Sequence, residues 1–194
     1  TDHGASQGRQ ATASSQSVSL PSAGSQGQLT YLAADRPDGQ FASKEICRWM
    51  DKPTELGLAS LKRLSRYLEG RPRFVWHYKW QESLGIDTYS DTDWAGCLRT
   101  RKSTSGGCVA LGQSHAIKTW SSTQQSISLS SGEAEMVGVT RAAAITLGIR
   151  SLLADFGVRC SARLWTDSSA SLGMCSRQGL GKVRHLDTQN MWIQ

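Results

Sequence analysis

"YSDTDWAG", Tyr89 to Gly96, is the stretch on which the fold turns. It closes the apolar, β-prone run "SLGIDT" with two aspartates set two apart, immediately before Trp94-Ala95-Gly96. A strand has a period of two, so Asp91 and Asp93 share one face, and the pattern alone does not choose between them. Gly96 is read as the residue that lets the chain turn out of this strand. Two further strand candidates follow, "GGCVALG" and "AIKTWSS", joined by a tight "QSH" turn, which predicts antiparallel hairpins.

Working outward, "SGEAEMVGVTRAAAITLGIRSLLADFG" is the longest helical pattern, with Ser131 as N-cap and Gly157 as its stop. "ARLWTD" returns as a strand, "SSASLGMCSR" as a short helix and "QGLGKVR" as a loop. "HLDTQNMWIQ" reads as a final helix. Three hairpin strands, a helix, a strand and a helix make an α/β sheet of mixed direction. Upstream, helices are expected over about 40–50 and 54–69. The second carries Leu61, Leu64 and Leu68 on one stripe, with Lys62, Arg63 and Arg66 around it. Gly70 and Pro72 end it, and "RFVWHYKW" reads as a short strand.

Residues 1–28 are Ser, Gln, Gly and Ala with almost no large apolar side chain, the composition of a disordered leader. They show no secretory pattern, and no run of about 18 apolar residues predicts a membrane span. Five widely spaced cysteines without a CxxC pair argue against a zinc cage or disulfide framework and fit a reducing, intracellular setting. The net charge is +6, and residues 40–80 hold nine Lys/Arg against four Asp/Glu. A basic patch of this kind suits a polyanion.

The remaining signal is where the acids fall. Asp91 and Asp93 end the first strand, Glu133 and Glu135 open the long helix, and Asp167 ends "LWTD". Strand ends at the carboxyl edge of an α/β sheet are where sites are built. Clustered carboxylates repel unless cations lie between them, and hard oxygen ligands without His or Cys point to Mg²⁺ or Mn²⁺. At about 100° per residue, Glu135 shares a stripe with Val139, Ala142, Ile149 and Leu153, the face expected on the sheet. Glu133 falls opposite and reads as a surface acid. Taken singly, Asp167 could be a turn or cap residue and Glu135 a first-turn acid; their order along the chain is what joins them.

The blocks "YSDTDWAGCLRTRKSTSGGCVALG", "IKTWSSTQQSISLSSGEAEMVGV" and "LWTDSSASLG" closely resemble the ribonuclease H domain of copia-type retrotransposon Pol polyproteins. "YLAADRPDGQFASKEICRWMDKP" and "LKRLSRYLEG" resemble the reverse transcriptase tail just upstream. The resemblance implies a ribonuclease H-like mixed sheet of five strands flanked by helices. It also implies hydrolysis of the RNA strand of RNA–DNA hybrids. Asp91, Glu135 and Asp167 would hold two Mg²⁺ ions, with Mn²⁺ able to substitute. The expected division is a leader over 1–28, a helical connection-like segment over 29–80 and a ribonuclease H-like domain over 81–194. In that family a further strand, and a helix bearing a fourth acid, follow the last helix seen here. The domain therefore reads as C-terminally truncated.

Asp187, in "RHLDTQ", lies in a familiar block away from the fourth acid and reads as a surface or at most supporting acid, while Asp93 supports the site or caps the turn. Arg99, Arg101, Lys102 and Ser103, with Thr104, are candidate phosphate contacts, and Lys62, Arg63 and Arg66 a guide for a duplex. Trp120 and Trp165 are read as packing residues, and Trp94 as packing on the sheet or lying near the hybrid, with core favoured. The expected partners are an RNA–DNA hybrid and the remainder of a Pol polyprotein, with no membrane. Two other classes stay open: a non-catalytic nucleic-acid-binding or connection module, and a decayed transposon remnant.

Overall fold

The computed structural model describes residues 23–81, 85–112, 115–178 and 192–194. Most of the leader, Gln113 and Ser114 of the "QSH" turn, the "QGLGKVR" loop after Gln178, most of the expected final helix and Asp187 lie outside the described residues. In chain order the elements are α1 (Ala23–Leu32), a 3-10 turn (Pro37–Gly39), α2 (Gln40–Cys47) and α3 (Glu55–Gly70). They continue with β1 (Ile86–Asp93), β2 (Thr104–Leu111), β3 (His115–Thr123), α4 (Ser131–Asp155), β4 (Ala162–Trp165) and α5 (Ser169–Cys175). The sheet is four-stranded and open, ordered β3-β2-β1-β4, with antiparallel β1–β2 and β2–β3 ladders and a parallel β1–β4 pair. This mixed α/β sheet with helices is compatible with a ribonuclease H-like fold.

The alternation in β1 divides the sheet into two faces. Ile86, Thr88, Ser90 and Thr92 are buried, while Tyr89, Asp91 and Asp93 are exposed. α4 lies on the buried face, where Ile86, Val109, Trp120 and Ala142 form the core with Ile145, Ile149 and Leu153 packed against it. A polar pair is set into that core: the hydroxyls of Thr88 and Thr146 lie 2.6 Å apart. Gly138 is the closest approach, since a Cβ there would collide with Thr92 Oγ1. By length and composition α4 is apolar enough to cross a membrane; Ala142, Ile145, Ile149 and Leu153 pack on the sheet core, while Leu147 and Leu152 are exposed.

The helical segment has a small core of its own, Leu29, Ile46 and Leu64, with Leu61 and Leu68 beside it, so the expected leucine stripe is in place. Thr54 caps α3, its Oγ1 accepting from the Gly57 N–H. On α2, Gln40, Lys44 and Arg48 recur every four residues and point at the sheet. They donate to Thr119 O, Thr104 Oγ1 and Thr123 Oγ1 at 3.4, 2.7 and 3.0 Å.

Several expectations are corrected here. The stretch read as a leader, 1–28, overlaps α1, which begins at Ala23. "RFVWHYKW" is not a strand; residues 73–80 pair with nothing in a ladder and meet β3 through only a few bonds. The N-cap of α4 is Ser130 rather than Ser131, its Oγ accepting from Glu133 N. Glu133 is not a surface acid: it is 7% exposed, and its carboxylate accepts from Leu129 N at 2.8 Å, closing the helix start reciprocally. The helical wheel missed this because α5 lies alongside the first turns of α4, where Cys175 Sγ meets Met136 Sδ at 3.6 Å. Gly157, with φ +79, does end α4.

Candidate active site

The carboxyl ends of β1 and β4 lie side by side. Their parallel register sets Ile86 opposite Ala162 and Tyr89 opposite Trp165. Continued two residues beyond the ladder, it brings Asp167 level with Asp91. The start of α4 overhangs the same point and supplies Glu135. Ligand oxygens of Asp91, Glu135 and Asp167 all lie within 4.8 Å of one another. The Thr92 N–H, at a level where β4 has ended, donates to Asp91 Oδ1 at 2.8 Å and to Glu135 Oε1 at 3.2 Å.

Glu135 is 8% exposed, and its second oxygen is buried without a hydrogen-bond partner. Burial, and then the nearby charges of Asp91 and Asp167, push its pKa up to about 7, against the Thr92 N–H, which lowers it. A buried carboxylate with one orphaned oxygen, facing two more carboxylates, is a donor set that suits a hard divalent cation. Among the described residues, neither His nor Cys belongs to the cluster.

Gln124 sets the position of α4, and nothing in the sequence reading singled it out. It is buried, and its amide donates to Ser105 Oγ and Ala134 O, both at 2.8 Å, while accepting from Ser128 Oγ at 3.2 Å. It thereby joins β2, the β3–α4 loop and the first turn of α4. Asp87 was also missed. Arg163 meets it as a two-bond fork at 2.9 Å and Trp165 Nε1 donates to it at 2.8 Å, which clamps β4 against β1 and lowers the Asp87 pKa. The only hint in the sequence is that odd-numbered Asp87 falls on the open face.

An open groove of about 630 Å³ leads to the acids, with Gly106, Gly107 and Cys108 along β2 and Tyr89 and Trp165 beside them. Trp165 is therefore half-exposed groove wall rather than packing. Trp94 is also not core; it is 47% exposed and donates to Ser128 O at 3.0 Å. Trp120 does pack, over Gly107. Asp93 stays outside the cluster and folds back over Gly96, where any Cβ would strike its carboxylate. Glycine is needed there for that approach, while Ala95 takes the positive φ of the turn (+53).

The phosphate candidates separate. Ser103 is fully buried, its Oγ accepting from Ala95 N at 3.0 Å. Arg99 donates to Arg48 O at 3.1 Å and lies 5.1 Å from the Trp49 ring, tying the loop to the helical segment. Arg101 is exposed and Lys102 half-exposed. Lys62, Arg63 and Arg66 form an exposed face of α3.

The chain is 40% identical over 133 residues to the retrovirus-related Pol polyprotein from transposon RE1 of Arabidopsis thaliana, covering 69% of this chain and 9% of that protein. Its homologues include retrovirus-related Pol polyproteins of plant transposons. The counterpart from transposon RE2 of the same plant is 38% identical over 135 residues, 70% of this chain and 9% of that protein. That from transposon TNT 1-94 of Nicotiana tabacum is 24% identical over 178 residues, 90% of this chain and 13% of that protein. This Pol-related chain thus spans only a small part of the polyproteins it matches. No family model and no solved structure matches it.

Proposed function

We propose that this Pol-related fragment carries a ribonuclease H-type centre that hydrolyses the RNA strand of RNA–DNA hybrids formed during reverse transcription. The observation that carries the reading is the convergence of Asp91, Glu135 and Asp167 around the orphaned Glu135 oxygen, at the head of an open groove. Homology to retrovirus-related Pol polyproteins supports the hybrid as substrate. The domain limits implied by the resemblance, a reverse transcriptase tail over 29–80 and the nuclease over 81–194, belong to the same proposal.

Asp91, Glu135 and Asp167 would hold Mg²⁺ or Mn²⁺. Two such ions supply an activated water and neutralise the leaving oxygen of a phosphodiester. The chain's own residues do the positioning. Thr92 N–H fixes one oxygen each of Asp91 and Glu135, and Gln124 holds the helix that carries Glu135. Gly106, level with Asp91 on the open face of β2, leaves a flat floor on which a sugar-phosphate backbone can lie close to the sheet. Tyr89 and Trp165 border that floor. Arg101 and Lys102, and the basic face of α3, offer cations to phosphates farther along.

The test is cleavage of a hybrid labelled separately on each strand, with Mg²⁺, with Mn²⁺ and with chelator, alongside Asp91→Asn. Metal-dependent cuts confined to the RNA strand and lost in the variant are expected. A folded chain that cuts neither strand, or one whose cutting survives Asp91→Asn, contradicts the assignment.

A further inference from the structure

The segment "RFVWHYKW", residues 73–80, takes no part in the site described above, and its composition is unusual for a connector. Every residue from 71 to 80 is exposed. Even positions carry Phe74, Trp76, Tyr78 and Trp80; odd ones carry Arg73, Val75, His77 and Lys79. Three of the rings contact one another in sequence. Phe74 and Trp76 lie 4.9 Å apart edge to face, and Trp76 and Tyr78 lie 6.3 Å apart at 29°. Tyr78 meets His115 at 5.4 Å. Trp80 ends the row at 96% exposure.

The row is held in place. Tyr78 Oη donates to Ala116 O at 2.8 Å, Lys79 N to His115 Nε2 at 3.0 Å, and Gln81 Nε2 to Leu111 O at 2.7 Å. Large rings presented to water on an anchored segment lose little freedom when they bind. Charge then selects the partner. Arg71, Arg73 and Lys79 are cationic, and no acid occurs from Gly70 to Trp80. A ligand that offers flat apolar faces and a run of negative charge satisfies both halves of this pattern. Single-stranded nucleic acid is such a ligand, whereas a duplex keeps its base faces stacked inside.

We infer that residues 73–80 form a stacking platform for single-stranded nucleic acid, separate from the carboxylate site. The separation follows from the register: the anchors on Leu111 and His115 lie level with Ile86, five residues along β1 from Asp91. At ~3.4 Å per residue that is roughly 17 Å. The inference does not rest on the hydrolytic reading, and its test involves no cleavage.

Labelled oligo(dT), oligo(U), an abasic strand of equal length and a blunt duplex are titrated with the full chain in EDTA, and binding is followed by anisotropy. The tighter of oligo(dT) and oligo(U) is expected to bind at least ~10-fold better than the abasic strand or the duplex. Trp80→Ala and Trp76→Ala are each expected to weaken it roughly 5- to 100-fold. Tyr31→Ala, which removes an equally exposed ring on α1, should change nothing. Trp80 is so exposed that its loss leaves the thermal melt unchanged, so that variant keeps the test decisive. Equal affinity for the abasic strand, wild-type affinity in Trp80→Ala, or no oligonucleotide binding at all overturns the inference; the last result would mark the strip as a contact for another polypeptide.

Discussion

Glu135 does at residue scale what its neighbours cannot, because it is both buried and set against two other carboxylates. Its pKa is pushed up to about 7 in the metal-free chain, whereas an unfolded glutamate titrates near 4.5. Between those values the folded chain keeps a proton that the unfolded chain has released, so stability falls as pH rises across that window and then levels off. Thermal melts in chelator should show this decline, Glu135→Gln should flatten it, and Mg²⁺ above pH 7 should raise the wild-type Tm. A slope unchanged in Glu135→Gln would remove Glu135 as its source. Gln124 is the complementary case: Gln124→Leu leaves Ser105 Oγ and the Ala134 carbonyl without their donor, at a cost of about 1–3 kcal/mol. Denaturant unfolding checks it. Helical periodicity pointed Glu135 toward the sheet. Gln124 was not legible, because a buried amide in a polar stretch such as "WSSTQQ" looks like any exposed one until its three partners are known.

At the scale of elements, the contact between α4 and β1 controls the site. Gly138 lets the helix lie against Thr92, the residue whose N–H holds Asp91 and Glu135. Gly138→Ala gains about 1 kcal/mol of helix propensity but loses a similar amount or more to overpacking. Gly138→Val has a larger side chain to place and a lower propensity, so it should destabilise by about 1–3 kcal/mol and reduce cleavage as α4 is displaced. An unchanged melt in Gly138→Val would mean the helix can shift at no cost. Those elements with one strong period were legible: the three hairpin strands, α3 and α4 all appear close to their expected bounds. The segment 73–80 misled because its rings alternate with other side chains as in a strand, while among the described residues no strand pairs with it. Glu133 misled for a related reason, since a wheel assumes one buried face while the first turns of α4 are covered on two.

Across the whole molecule, α1–α3 are attached to the sheet domain by the Gln40, Lys44 and Arg48 stripe and by Arg99. This leaves Lys62, Arg63 and Arg66 facing solvent on α3. If these cations meet phosphates of a bound hybrid, each contributes close to one unit of salt dependence. Replacing all three by Ala should lower the slope of log K against log salt by about 2–3, and affinity at low salt should fall with it. An unaltered slope would place the duplex elsewhere. The basic excess of residues 40–80 was plain from the sequence, but not its division, because Lys44 and Arg48 are spent on joining the two parts of the chain. All three scales meet in one claim, that the ends of β1 and β4 and the start of α4 build a divalent-cation centre. Its most direct test is calorimetric titration of the metal-free chain with Mg²⁺ and with Mn²⁺ near pH 7, in two buffers of different ionisation heat. Saturable binding that releases protons, as Glu135 ionises, and that disappears in Asp91→Asn and in Asp167→Asn is the predicted result. A folded chain that binds neither ion, or binds them undiminished in the Asp91→Asn/Asp167→Asn double variant, would contradict it.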